Sequence, residues 1–246
     1  MTLSRGPSPI DRQRVDALAR HSNAMLSHPV AGFIDGSYRH INPALRGDAL
    51  VDVDIEAQHF IAALASMNDY VGTSYRVSQI AHQGLATLLL VPAQPDGTTP
   101  VFIDAAPQAA FVLPGHAAAW AQRAPGVMPV VGMCRLFSIF DESVPQKNLS
   151  TPRHPDLVVV VPDTPLRLKA LRIVPARERN PSAARDGRHD PHDPDEPPRI
   201  RCGDRRPYIV AHFGAAADTH PHAPRYVLFS GARQQAPVAC EPAPAS

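Results

Sequence analysis

Cysteine is scarce in this chain. Cys134, Cys202 and Cys240 are too few and too widely spaced for a disulfide framework or a four-ligand zinc site, so they read as reduced structural thiols. Aromatic residues are scarce too, at 6%, which leaves alanine, valine and leucine to do most of the packing and predicts short β-branched strands. No apolar run approaches the roughly 18 to 20 residues that span a bilayer. Met1 to Arg14 lacks the apolar core of a secretory signal, so neither membrane insertion nor a cleaved leader is expected. Neither sign of charge is in excess: the net charge is +1, and no basic face suggests nucleic acid or a membrane surface.

Proline is abundant instead. The 28 prolines concentrate in Pro152–Pro165, Pro175–Pro207 and Pro221–Pro244, which predicts a core with many breaks and a loop-rich C-terminal half. With 246 residues, 44% of them apolar, the chain can bury one sizeable core of mixed class, and a single domain over 1–246 is expected. The arm 1–10 and the tail 235–246 are expected to be flexible. Residues 176–207 hold almost no apolar side chain and cannot offset their ordering entropy, so a disordered insertion is expected there.

Spacing predicts helices over Asp11–Met25 and Ala31–Gly47, the second with Ile34, Tyr38, Ile41 and Leu45 on one face and Pro43 opening the next helix. A clearer amphipathic helix covers Ile55–Met67, with Ile55, Phe60, Ile61, Leu64 and Met67 inward. Asp69 and Gly72 then turn the chain into a strand that ends at Arg76. Strands are predicted over Leu85–Val91, Pro100–Ile103, Met133–Ser143, Leu157–Val161, Leu166–Val174, Tyr208–Phe213 and Tyr226–Ser230. A helix broken at Pro114-Gly115 covers Gln108–Trp120, and a loop Pro145–Pro155. Asp104 reads as a turn-capping aspartate, and Trp120 as either a core or a partner-surface residue. The strings His189-Asp190-Pro191-His192-Asp193 and His220-Pro221-His222 have no second shell to fix them, and no metal is expected.

Three segments carry a resemblance. Gly36-Ser37-Tyr38-Arg39-His40-Ile41-Asn42-Pro43-Ala44-Leu45-Arg46-Gly47, then Gly72-Thr73-Ser74-Tyr75-Arg76-Val77, then Met133–Ser143 resemble the order of motifs in bacterial mono-ADP-ribosyltransferases. The resemblance covers Ala31–Ser143 and, more faintly, Tyr208–Gln234. It implies an α+β fold: N-terminal helices and a split, mostly antiparallel sheet around an NAD cleft. It also implies that Arg76, preceded by Tyr75, grips the phosphates of NAD, for which a planar charged fork is suited; a surface ion pair is the commoner fate of an arginine. Ser138 takes the place of a ribose-contacting serine, Phe140 stands where a second serine would be, and Phe137 or Phe140 would stack on the nicotinamide. The plain alternative is a strand with Phe137 and Ile139 on one side and Ser138 and Phe140 on the other.

The final family motif sets two glutamates just before an apolar strand. Here that place reads Pro221-His222-Ala223-Pro224-Arg225-Tyr226, with no glutamate. A carboxylate near the ribose stabilises the charge that develops as nicotinamide leaves, and losing such a partner costs about 3 to 4 kcal/mol. Asp141, Glu142 and Asp218 are the candidate replacements, with Asp141 and Glu142 the better placed; ordinary loop solvation is the rival account of each. Without the first glutamate of the pair, a hydroxyl acceptor fits better than arginine. This is similar in outline to bacterial effectors that modify a threonine of ubiquitin. The resemblance thus implies NAD as substrate, no metal, a host protein as partner, a monomer, and a bacterial protein exported without a cleavable signal that acts in the host cytosol. The rival readings are a catalytically silent binder of the same fold and an unrelated α+β interaction module.

Overall fold

The computed structural model describes residues 9–20, 28–46, 51–81, 88, 101–123, 133–174, 208–216 and 225–227. The chain opens with helix α1 (Pro9–Arg20), whose Leu18 is buried and whose Leu18 carbonyl accepts a hydrogen bond from Asn148 Nδ2 at 3.0 Å. Next come α2 (His28–Gly32), a π-helical turn (Phe33–Ser37), α3 (Tyr38–Leu45) and α4 (Val51–Ala65). The stripe expected over 31–47 is present, with Ile34 and Ile41 buried, but it is broken at Gly36, whose φ of +143° no helix can carry. Pro43 lies inside α3 rather than opening the next helix. The helix ends two residues later, where Arg46 N–H closes on the Asn42 and Pro43 carbonyls.

On α4 the buried stripe runs through Ala57, Phe60 and Leu64 and on to Met67. Ile55 was expected on it and is 61% exposed. Five residues before Phe60, it sits about 140° round the helix.

Ten strands form one sheet: β1 (Asp69–Tyr70), β2 (Ser74–Ala81), β3 (Val101–Ile103), β4 (Gln108–Phe111), β5 (Met133–Phe140), β6 (Gln146–Asn148), β7 (Leu157–Val160), β8 (Leu166–Val174), β9 (Tyr208–Ala215) and β10 (Arg225–Val227). Helix α5 (Pro114–Arg123) follows β4. The order is β1-β6-β7-β4-β2-β5-β9-β8-β3-β10, with β5–β9 and β3–β10 parallel and the other pairings antiparallel. The halves β1-β6-β7-β4 and β2-β5-β9-β8-β3-β10 meet in one residue pair, Tyr75 with Phe111. The sheet is continuous in order and split in structure.

Several expectations change. Arg76 does not end its strand; β2 continues five residues beyond it. Gln108–Phe111 is strand rather than helix, and Pro114 starts α5 instead of breaking a longer helix, as suits a residue with no N–H to leave unpaired in a first turn. Part of the loop expected over 145–155 is β6. Of 85–91 only Leu88 is described, and it is helical and buried. The arm's first eight residues, the insertion at 176–207, the tail at 235–246, Cys202 and Cys240, and the histidines of 189–192 and 220–222 lie outside the described residues.

The sheet separates two cores. Val77, Phe137 and Val210 pack on the helical side with Ile41, Phe60 and Leu64, where Phe33 and Phe60 stack at 4.2 Å. Ile80, Leu136, Phe140, Phe213 and Leu166 pack on the other side. In β7, Leu157 and Val159 join the first core while Val158 and Val160 join the second, which is why that run has no polar residue. Phenylalanine contributes more than its scarcity suggested: all seven among the described residues are buried.

Gly72 sets the entry to β2. Its φ is +156°, and a Cβ there would lie 2.6 Å from the Tyr70 hydroxyl, which donates to the Thr73 carbonyl at 3.1 Å. Burial raises the Tyr70 pKa to about 12, so the hydroxyl stays a donor. Gly72→Ala is therefore expected to cost upwards of about 1 kcal/mol in urea denaturation, since alanine is strained at positive φ.

Candidate functional site

Arg76 and Ser138 are directly opposed across β2 and β5, with their side chains on the same face. Alternation places Ser74, Arg76 and Ser78 on that face of β2. The guanidinium reaches beneath β4, where Nη1 donates to the Ala109 carbonyl at 3.1 Å. Burial lowers its pKa to about 10, the Arg46 charge adds to that, and Asp104 opposes it, so Arg76 remains a cation at neutral pH. Asp104 is buried and fully engaged: Arg46 grips it through Nε (2.8 Å) and Nη2 (2.7 Å), and Ala106 N–H donates to Oδ1 at 3.0 Å. It caps its turn as expected and anchors α3 to the sheet as well. Ser138 is fully buried, and its Oγ, like Ser78 Oγ, has no hydrogen-bond partner.

An open cavity of about 510 Å³ lies on the helical side of the sheet seam. The π turn and α3 contribute Asp35, Tyr38 and Arg39, β4 contributes Phe111, α5 contributes His116 and Trp120, and the loop before β7 contributes Arg153, His154 and Asp156. Asp156 is 1% exposed and is the fixed point of this wall. Its Oδ2 accepts from Leu113 N–H at 3.0 Å, its Oδ1 lies 2.8 Å from His116 Nδ1, and its carbonyl accepts from Val112 N–H at 2.9 Å. One aspartate thus ties the start of α5 to the start of β7. Trp120 packs between Phe111 (5.6 Å) and Tyr38 (6.3 Å) and meets His154 edge-on at 5.6 Å. Burial and the Arg153 charge hold His154 below the usual histidine pKa, against the opposing pull of Asp156 and Asp35, so its ring is neutral at physiological pH. Arg39 and Arg153 are exposed cations on the rim. The Arg153–Asp35 pair, at 3.9 Å and open to water, adds little.

This arrangement of strands and helices matches the ADP-ribosyltransferase Vis, solved in complex with agmatine, at a TM-score of 0.55 and 16% identity over 93% of this chain and 95% of that one. The Vis toxin from Vibrio splendidus superimposes at a TM-score of 0.53 and 15% identity over 95% and 98% of the two chains. The fold is that of an ADP-ribosyltransferase. No protein-family model matches the chain, and no curated protein matches it. The α+β class and the mostly antiparallel split sheet expected from the sequence are those of this ADP-ribosyltransferase fold.

The remaining residues singled out in the sequence fall elsewhere in the fold. Tyr75 and Phe137 stack on each other at 5.8 Å on the face opposite Arg76 and Ser138, so the sheet does not bring them to that pair. Phe140 shares the Ser138 face, but it is fully buried against Phe213 and offers no open ring. Asp141 caps the turn after β5: it accepts from Ser143 N–H and Oγ and is ion-paired with Lys169. Burial alone would raise its pKa, yet the hydrogen bonds from Lys169 and Ser143 and the Lys169 charge hold it below the usual carboxylate range. Glu142 beside it is exposed. Neither acid lines the cavity. Among the described residues no group of three or more His, Cys, Asp or Glu could hold a metal ion, and no helix is long and apolar enough to cross a membrane.

Sequence reasoning missed Asp156 and His116. The signal for the first was present: Asp156 directly precedes the apolar run Leu157–Val161, an acid before a buried strand, but that pattern was sought only ahead of the last strand. His116, forty residues away, has no comparable mark.

Proposed function

We propose that this chain is a mono-ADP-ribosyltransferase that takes NAD into the cavity beside the sheet seam and passes ADP-ribose to a protein side chain. The observation that carries the reading is the buried carboxylate of Asp156, in the wall of a cavity of nucleotide size, within a fold shared with Vis. As the bond to nicotinamide breaks, positive charge develops on the ribose, and a fixed carboxylate in a low-dielectric wall lowers the energy of that state. Asp156 takes this role ahead of Asp141 and Glu142 because it lies in the cavity wall and they do not, and because the Asp141 charge is already neutralised by Lys169.

The rim cations Arg39 and Arg153 suit a diphosphate, and Trp120 and Tyr38 supply aromatic surface for a base or the nicotinamide. Arg76, whose neighbour Tyr75 pairs with the cavity residue Phe111, sets a fixed positive charge beneath β4; Ser138 stands beside it, buried on the face of the sheet away from the cavity, and supports that charge's strand rather than touching the nucleotide. The acceptor in this reading is a hydroxyl of a host protein, with a threonine of ubiquitin the first to assay. The enzyme would work as a monomer in the host cytosol after export from a bacterium.

The test is incubation of the protein with labelled NAD, ubiquitin and a host-cell lysate. Label is expected on a discrete protein and is expected to vanish with Arg76→Ala. Thermal stabilisation by NAD without transfer would favour a silent binder instead. No response to NAD at all would favour an interaction module.

A further inference from the structure

Asp156 and His116 form a buried-acid and exposed-imidazole pair of a kind that does proton chemistry. The carboxylate is almost wholly buried, whereas half of the His116 side chain is exposed, in the cavity wall. An ionised carboxylate can only accept, so the 2.8 Å contact makes His116 Nδ1 the donor and fixes the tautomer. In the neutral ring the remaining nitrogen, Nε2, then carries a lone pair. Leu113 N–H on the other carboxylate oxygen holds Asp156 from behind, and Pro114 and the first turn of α5 hold the histidine backbone, with His116 N–H bonded to the Leu113 carbonyl at 3.0 Å. The other charged or titratable groups of this cavity are Asp35, Tyr38 and Arg39 from the π turn and α3, and Arg153 and His154 from the β7 approach.

We infer that His116, oriented by Asp156, is the general base that takes the proton from an acceptor hydroxyl. The inference rests on the transferase reading above. In the step, the acceptor oxygen forms a bond to the ribose C1′, the C1′–nitrogen bond breaks, and its electron pair leaves with neutral nicotinamide. The hydroxyl proton passes to His116 Nε2, and the imidazolium formed is balanced by the Asp156 carboxylate. A base of this kind contributes on the order of 10²- to 10⁴-fold.

His116→Asn tests it, because the asparagine amide keeps a donor near the place of Nδ1, facing Asp156, and removes the base. Wild type and variant are given NAD with molar methanol or with azide, an anionic nucleophile that has no proton to lose. The expected result is at least about a 100-fold loss of methyl-ADP-ribose and of hydrolysis in the variant, with ADP-ribosyl azide formed at close to the wild-type rate. Equal losses with methanol and azide would place His116 in bond cleavage or in the architecture and overturn the inference, and so would no loss with either. If wild type forms no product from any nucleophile and is not stabilised by NAD, the transferase reading itself fails, and the inference with it. Melting temperatures of both proteins with and without NAD separate a folding defect from these results. For a variant that does not fold, His116→Gln replaces it under the same criteria.

Discussion

Asp156→Asn is expected to leave the protein folded and able to bind NAD while slowing release of nicotinamide by about 10²- to 10³-fold. The asparagine oxygen can still accept from Leu113 N–H, so the tie between β4, α5 and β7 survives. The negative charge does not, and charge is what a positively charged ribose requires. A second defect compounds the first: with its oxygen on Leu113 N–H, the amide turns its NH2 to His116 Nδ1 and donates to it, which holds the ring proton on Nε2 and leaves no lone pair there. Azide, which bypasses a missing base, should therefore not restore this variant. Glu142→Gln is the matched comparison and should retain activity, since that side chain is exposed and outside the cavity. A single-turnover assay of nicotinamide release on both variants decides the matter. Loss in Glu142→Gln with activity kept in Asp156→Asn would return the acid to the turn after β5.

Asp104→Ala should be the most damaging single change to stability, costing about 3 to 5 kcal/mol. The aspartate is buried, holds Arg46 by both oxygens, caps Ala106 N–H, and is the charge that favours protonation of Arg76. Removing it leaves two guanidinium groups in the interior with their mutual repulsion unbalanced. The cost belongs to the Arg46 charge left without its carboxylate more than to the lost contact, so Arg46→Met combined with Asp104→Leu should recover much of it. Urea denaturation of the single and double variants reads this directly. A loss below about 1 kcal/mol in Asp104→Ala would mean that water already reaches the pair.

Much of the sheet was legible before the structure. Leu157–Val160 announced itself because both of its faces meet a core, and the partly alternating Leu166–Val174 read as a strand through its interleaved Arg167, Lys169 and Arg172, although Ile173 is exposed as well. Gln108–Trp120 misled because alanine favours helix, while pairing with β7 holds Gln108–Phe111 as a strand and the helix starts only at Pro114. Arg76 and Ser138 stood out separately in the sequence, but that they face each other is a matter of strand register, which no local pattern records. The two-residue period of a strand already separates Tyr75 from Arg76 and Phe137 from Ser138, the plain alternative that the sequence offered for Met133–Ser143. The cavity was illegible because its key contact joins positions 116 and 156 through two turns, where polar residues are ordinary.

The seam at Tyr75 and Phe111 has a mechanical meaning. With a single rung between the two plates, each plate keeps its own ladder, and a slip of register in one has no route into the other. Small rotations about that rung would alter the width of the adjoining cavity while leaving the pairings on either side intact. Substitutions that stiffen the rung should be felt by a guest in the cavity sooner than by the melting of either plate.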